Sequence, residues 1–275
     1  MLHQAHAAIT RRDHTLRPAV APRAVLHSER MPAYLLTEDL VFPPPEGASP
    51  EGVVAIGGDT SPERLVLAYS QGIFPWPHRD LPLLWFSPDP RFVLCFDRVH
   101  VGRSLRKRVR AGTYEVRCDT AFERVIDACA SVPRPGQDGT WITDDIRKGF
   151  SALHRLGLAH SVETWKDGEL VGGLYGVGLG RSFCGESMFS QADDASKVAT
   201  VALLGNLCHW GFHFVDCQVY TDHLARFGAE PWPRARFLAA LRRSVAEPTR
   251  RGPWRFELDA EQSVAALDGA RLRRG

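Results

Sequence analysis

Residues 159–190 read AHSVETWKDGELVGGLYGVGLGRSFCGESMFS, and this stretch decides the architecture. Apolar, aromatic and glycine residues form three consecutive runs near 159–165, 169–177 and 181–188, each of a length that suits a strand. Between the first two lies Asp167-Gly168, a dipeptide suited to a tight hairpin because both residues tolerate positive φ. A hairpin followed by a third strand puts a sheet in the middle of the chain.

On the N-terminal side, Tyr114–Cys118 is strand-like, and the spacing Thr120-x-x-Glu123 predicts a helix opened by a capping box. A second helix is expected from about Asp144 to Leu156, stopped by Gly157. On the C-terminal side, Val198, Val201, Leu204 and Leu207 mark a helix over about 194–209. A strand over Phe214–Val219 and a short helix over Asp222–Phe227 follow. Residues 31–110 differ: Phe42-Pro43-Pro44-Pro45-Glu46, Phe74-Pro75-Trp76-Pro77 and Trp85-Phe86-Ser87-Pro88-Asp89-Pro90 are turn-rich. One helix is clear there, capped by Ser61, with Pro62 in its first turn and Gly72 past its end.

The order β-α-α-β-β-β-α-β-α is similar to that of the GNAT (acyl-CoA N-acyltransferase-like) enzymes. The expected fold class is therefore α+β: a small loop-rich N-terminal domain at 31–110, then a GNAT-like mixed-sheet domain at 111–248. Residues 249–275 read as a C-terminal tail. Residues 1–30, rich in Arg and His, read as a disordered extension ahead of an internal start at Met31. Coenzyme-A-dependent members of that fold need a glycine-rich turn before the third helix to cradle pyrophosphate. Here the turn is Phe189-Ser190-Gln191-Ala192-Asp193-Asp194-Ala195-Ser196-Lys197, without glycine and with two adjacent acids, so no coenzyme A is expected.

With 275 residues and 44% hydrophobic content the chain can build a substantial core, and a net charge of +2 confines any nucleic-acid contact to a local patch. Six cysteines without a C-x-x-C pair fit a reducing cytoplasm. No apolar run reaches the ~18–20 residues of a membrane span, so no membrane partner is expected.

The basic patch is clear: Arg98, Arg103, Arg106, Lys107, Arg108 and Arg110 lie within thirteen residues, and Arg103, Arg106, Lys107 and Arg110 share one helical face. The plain structural alternative is a solvated helix face. Trp76, Trp85 and Trp141 sit in turns, where an indole has less chance of deep burial and can stack on a base; core packing is the alternative. Asp216 and Gln218, two apart on an expected strand, should project from one face. Burying both among Phe214, Val215 and Val219 makes sense if they are paired or used. Glu186 is an acid inside an apolar strand beside Gly185, which permits a bulge; an ion pair with Arg181 or Lys197 is the alternative. A zinc site would draw on Cys208, His209, His213 and Cys217, but these straddle a helix end, a turn and a strand, so no metal is expected.

Seven ordered motifs, Phe42-Pro-Pro-Pro-Glu46, Gly57-Gly-Asp59, Gly72-Ile-Phe-Pro-Trp76, Trp85-Phe-Ser-Pro-Asp-Pro-Arg91, Gly139-Thr-Trp-Ile-Thr143, Phe183-Cys-Gly-Glu-Ser-Met-Phe-Ser190 and Asp216-Cys-Gln218, closely resemble the bacterial leucyl/phenylalanyl-tRNA-protein transferases over about 33–245. The resemblance implies an enzyme that moves Leu or Phe, and in some members Met, from aminoacyl-tRNA to proteins beginning with Arg or Lys, which become N-end rule substrates. It implies that Asp216 and Gln218 are the catalytic pair, with Glu186 at the substrate end. It implies that Trp76 stacks on the terminal adenosine with Trp141 nearby, that Leu174, Phe183, Met188, Leu207 and Val215 line the amino-acid pocket, and that Arg103, Arg106, Lys107 and Arg110 hold the acceptor stem.

An aminoacyl ester is already activated, so the reaction needs no ATP, metal or other cofactor. The expected role of Gln218 is to accept a hydrogen bond from the attacking amine while Asp216 polarises and fixes its amide. Two other readings fit parts of the sequence: a GNAT enzyme that acetylates amines, and a non-catalytic RNA-binding module.

Overall fold

The computed structural model describes residues 34–78, 80–132 and 140–273. The extension read at 1–30 and Gly139 of the Gly139–Thr143 motif lie outside them. The chain begins with β1 (Tyr34–Leu36) parallel to β2 (Val53–Gly57), followed by α1 (Pro62–Ser70), β3 (Phe74–Pro75) and β4 (Leu84–Phe86). Both β2 and β3 pair antiparallel with β4, giving a four-stranded sheet in the order β1-β2-β4-β3. Helix α1 starts as expected: the Ser61 hydroxyl accepts from the Arg64 N–H at 3.4 Å.

A second sheet holds seven strands. Its elements in chain order are β5 (Arg91–Leu94), α2 (Arg103–Arg110), β6 (Glu115–Cys118), α3 (Phe122–Ser131), α4 (Asp144–Arg155), β7 (Ala159–Lys166), β8 (Glu169–Leu179), β9 (Ser182–Ser190), α5 (Ala195–His209), β10 (Phe214–Gln218), α6 (Asp222–Phe227), β11 (Glu230–Trp232), α7 (Arg234–Val245) and α8 (Ala260–Leu272). The strand order is β11-β5-β10-β9-β8-β7-β6. Only β9 and β10 run parallel; the other five pairs are antiparallel. The fold is thus mixed α/β with mixed sheets. Asp167 and Gly168 adopt φ of +52° and +80°, as the tight β7–β8 turn requires.

Three local expectations change. Thr120 does not cap α3: its hydroxyl donates to Glu163 at 2.8 Å, Glu123 accepts from Ser151, and Ala121 precedes the helix without a side-chain cap. Strand β5, which falls within the segment read as the small N-terminal domain, lies between β10 and β11 of the large sheet. The segment read as a tail contains α8, packed on α5. A Cβ at Gly205 would lie 2.2 Å from the Ser263 Cβ, so the two helices touch at a point only glycine permits. Asn206 locks the approach, donating to the Leu258 carbonyl at 2.9 Å and accepting from the Glu257 and Leu258 N–H groups. Helix α5 is consequently buried on nearly every face, between the sheet and α8.

Candidate active site

The β9–β10 ladder ends at Cys184↔Asp216, and just past that point the sequence-predicted catalytic residues converge. On β9 the register against β8 skips from Tyr175↔Ser187 to Gly176↔Gly185, so Glu186 is the extra residue of a bulge, as Gly185 suggested. On β10 the register against β5 shifts between Asp216 and Gln218, and Gln218 takes a φ of +62°. Simple alternation therefore fails at Gln218: a bulge and a left-handed residue aim its side chain, not strand parity.

The carboxamide is held from one side. Gln218 Nε2 donates to Glu186 Oε1 at 2.8 Å and to Cys184 Sγ at 3.1 Å. Both amide hydrogens are thereby used, and Oε1 is buried with no hydrogen-bond partner among the described residues. Neither alternative partner claims Glu186: Lys197 pairs with Asp194 at 2.6 Å and Arg181 donates to the Trp210 carbonyl.

Asp216 does not touch the carboxamide, which corrects the expectation that it fixes the amide directly. Its Oδ1 accepts from the Gln218 backbone N–H at 2.9 Å and its Oδ2 from the Cys184 thiol at 3.4 Å. Both oxygens also accept from Arg91, Oδ1 from Nε at 2.8 Å and Oδ2 from Nη2 at 2.7 Å. Arg91 closes a sequence motif without an assigned role, and a lone cation opening the apolar run Arg91-Phe92-Val93-Leu94 does not by its pattern separate a buried arginine from a solvated one.

Complete burial pushes the Glu186 carboxyl up from 4.5 to about 7, against the lowering influence of Tyr69 and Cys184 nearby. The folded protein therefore binds one more proton than the unfolded chain between these values, and stability present below pH 4.5 is lost as pH rises to about 7. We expect Glu186→Gln to match the wild-type Tm at pH 5 and to exceed it at pH 8. Thermal melts across that range provide the check, and a pH-independent difference would refute the assignment.

Four of the five pocket residues, Leu174, Phe183, Leu207 and Val215, are buried in one cluster, and half-buried Met188 packs against it. Sequence reasoning missed Trp254, which joins this cluster with its ring 5.9 Å from that of Phe183. Trp76 is half-buried, with ring neighbours Phe74, His78 and Phe86. Trp85 and Trp141 are deeply buried, contrary to expectation. Trp85 points inward from β4 and satisfies its indole N–H on the Gly57 carbonyl at 2.9 Å. A cleft of about 750 Å³ opens between the starts of α1 and α4, and none of the named site residues lines it.

The basic face is partly neutralised. Arg106 forms a bidentate pair with Asp268 of α8 at 2.6 and 2.7 Å, and Arg110 lies 3.9 Å from Glu261. Arg103 and Lys107 are exposed and have no ion-pair partner among the described residues. The four donors weighed for zinc are spread over separate partners: His209 meets Glu257 and His213 meets Ser244, while Cys217 is buried and Cys208 half-buried.

Against this geometry, residues 93–242 match the family model described as leucyl/phenylalanyl-tRNA protein transferase, and residues 58–89 match that family's N-terminal domain. A leucyl/phenylalanyl-tRNA–protein transferase of Myxococcus xanthus is 62% identical over 82% of this chain and 97% of its own length. One from Nitratidesulfovibrio vulgaris is 55% identical over 83% of this chain and 98% of its own. Among solved structures, that of L-PGS from Bacillus licheniformis aligns with 76% of this chain and 70% of its own, at 10% identity and a TM-score of 0.34. The protein is an aminoacyltransferase by family. The chain belongs to the leucyl/phenylalanyl-tRNA protein transferases. No helix among the described residues is long and apolar enough to cross a membrane.

Proposed function

We propose that this protein transfers Leu or Phe from aminoacyl-tRNA to the N-terminal Arg or Lys of acceptor proteins, and so creates N-end rule degradation signals in the cytoplasm. Family membership supports the reaction class, and one observation carries the site: the Gln218 Oε1, buried without a partner while both hydrogens on Nε2 are engaged. An acceptor held that way can receive a hydrogen bond from an amine as positive charge develops on it. Hydrogen bonding of Nε2 to Glu186 Oε1 polarises the amide and strengthens the Gln218 Oε1 as an acceptor.

In the transfer, the neutral α-amine of the acceptor attacks the ester carbonyl, a C–N bond forms, and the C–O bond to the ribose breaks. The amine proton passes to the departing ribose oxygen. An α-amine with a pKa of about 8 is partly neutral near pH 7, so positioning contributes more than proton removal. Leu174, Phe183, Met188, Leu207 and Val215 form the apolar surface that receives the donor side chain, half-buried Trp76 stacks on the adenosine while Trp141 stays in the core, and Glu186 faces the acceptor. Exposed Arg103 and Lys107 meet phosphate most directly, whereas Arg106 and Arg110 share their charge with α8.

In this reading the larger sheet is a GNAT-like catalytic unit, whose one parallel ladder ends at the site. The smaller sheet belongs to an N-terminal unit. Coenzyme A is disfavoured because Asp194 heads α5 where a pyrophosphate would need bare N–H groups. The test is to incubate purified protein with an Arg-starting peptide and Leu-, Phe- or Val-charged tRNA, then weigh the peptide. We expect one added Leu or Phe residue and none from Val; an unmodified peptide in all three would refute the reading.

A further inference from the structure

We propose that Arg91 is a positioning residue of the transfer centre: its guanidinium fixes Asp216, and through Asp216 the backbone and carboxamide of Gln218. This rests on the reading of Gln218 as the group that receives the attacking amine.

Arg91 opens β5 and is 1% exposed, and Asp216 is 5% exposed. Burying such a pair incurs a large desolvation penalty, offset only by close geometry and full hydrogen bonding. Arg91 answers this with an acceptor on each of its three guanidinium nitrogens. The fork of Nε and Nη2 matches the two carboxylate oxygens, and Nη1 donates to the Gly72 carbonyl at 3.2 Å. The rings of Phe74 and Phe237 lie with their centroids 4.7 and 4.6 Å from the guanidinium carbon. Hydrogen bonds on three nitrogens and two aromatic rings against it leave the guanidinium little freedom to rotate or slide.

That rigidity is passed on. With Oδ1 and Oδ2 each held by Arg91, the remaining acceptor directions of Asp216 point at the Gln218 N–H and the Cys184 thiol. The first anchors Gln218 in a left-handed conformation that a side-chain-bearing residue rarely adopts. The second orients the sulfur that accepts from Gln218 Nε2. A cation serving only to balance charge could be lysine. The fork of contacts cannot, because an ammonium lacks the planar pair of donors.

The decisive experiment compares Arg91→Lys with wild type in steady-state transfer. We expect a folded protein by circular dichroism, KM for charged tRNA and acceptor peptide within about twofold, and kcat lower by about 10²-fold, the scale of a small misplacement of a reacting group. Wild-type kcat in Arg91→Lys, or a loss matching the fraction of inactive protein, overturns the proposal. In Arg91→Ala, millimolar guanidinium should restore part of kcat; equal rescue by methylammonium overturns it. If both Arg91 variants fail to fold, Phe237→Leu decides: about a tenfold lower kcat with unchanged KM supports the role, and wild-type kcat overturns it. Wild-type turnover in Gln218→Ala would instead remove the reading of the centre itself.

Discussion

Replacing Gln218 with Ala should lower the rate of aminoacyl transfer by about 10²–10³-fold while leaving aminoacyl-tRNA affinity within about twofold of wild type. The backbone contributes little to this difference, because Ala carries the same Cβ into the left-handed conformation at 218. What disappears is the buried Oε1, together with the donor that occupies Glu186 Oε1. At pH 8 the uncovered carboxylate would lower the Tm as well. Single-turnover transfer to an Arg-starting peptide, on protein whose folding has been checked by thermal melting, separates the two effects. A variant that is folded and turns over at the wild-type rate would show that the carboxamide has no part in the reaction.

Asp216→Ala should act first on stability, lowering it by about 3–5 kcal/mol, because the change leaves the Arg91 guanidinium buried and uncompensated. For a chain of this size the Tm should fall by roughly 6–20 °C. Loss of activity in this variant is therefore not in itself a sign of direct chemistry at Asp216, which accepts from the Gln218 main-chain N–H and does not touch its side-chain carboxamide. Melts and activity measured together well below the new Tm resolve the matter. A Tm within about 2 °C of wild type would contradict the buried pair.

The elements legible in the sequence were those specified locally. The Asp167-Gly168 hairpin, the Ser61 and Gly157 helix boundaries, and the bulge beside Gly185 all depend on residues within a few positions of one another. The proposed catalytic trio of Asp216, Gln218 and Glu186 stood out because polar groups interrupt apolar strands. Their partners did not stand out. Arg91 reaches Asp216 across 125 positions, and a lone Arg at a strand start is indistinguishable by pattern from a solvated one. Thr120 had a capping-box spacing, yet the buried Glu163 competed for its hydroxyl and won. The basic face of α2 had the right periodicity, but its neutralisation depends on α8, whose sequence shows too weak an apolar stripe to announce a docked helix. Trp85 and Trp141 carry turn-like neighbours, which describe the backbone and say nothing of where the ring goes.

Strand β5 sits between β10 and β11, and both of its neighbours follow it by more than a hundred residues in the chain. On a ribosome adding about 5–20 residues per second, β5 emerges roughly 6–25 s before the strand that supplies Asp216. During that interval Phe92, Val93 and Leu94 form a bare sticky segment, and the full charge of Arg91 at its head discourages pairing with other nascent chains. Until β10 is made, the guanidinium at the head of β5 has no carboxylate to hold.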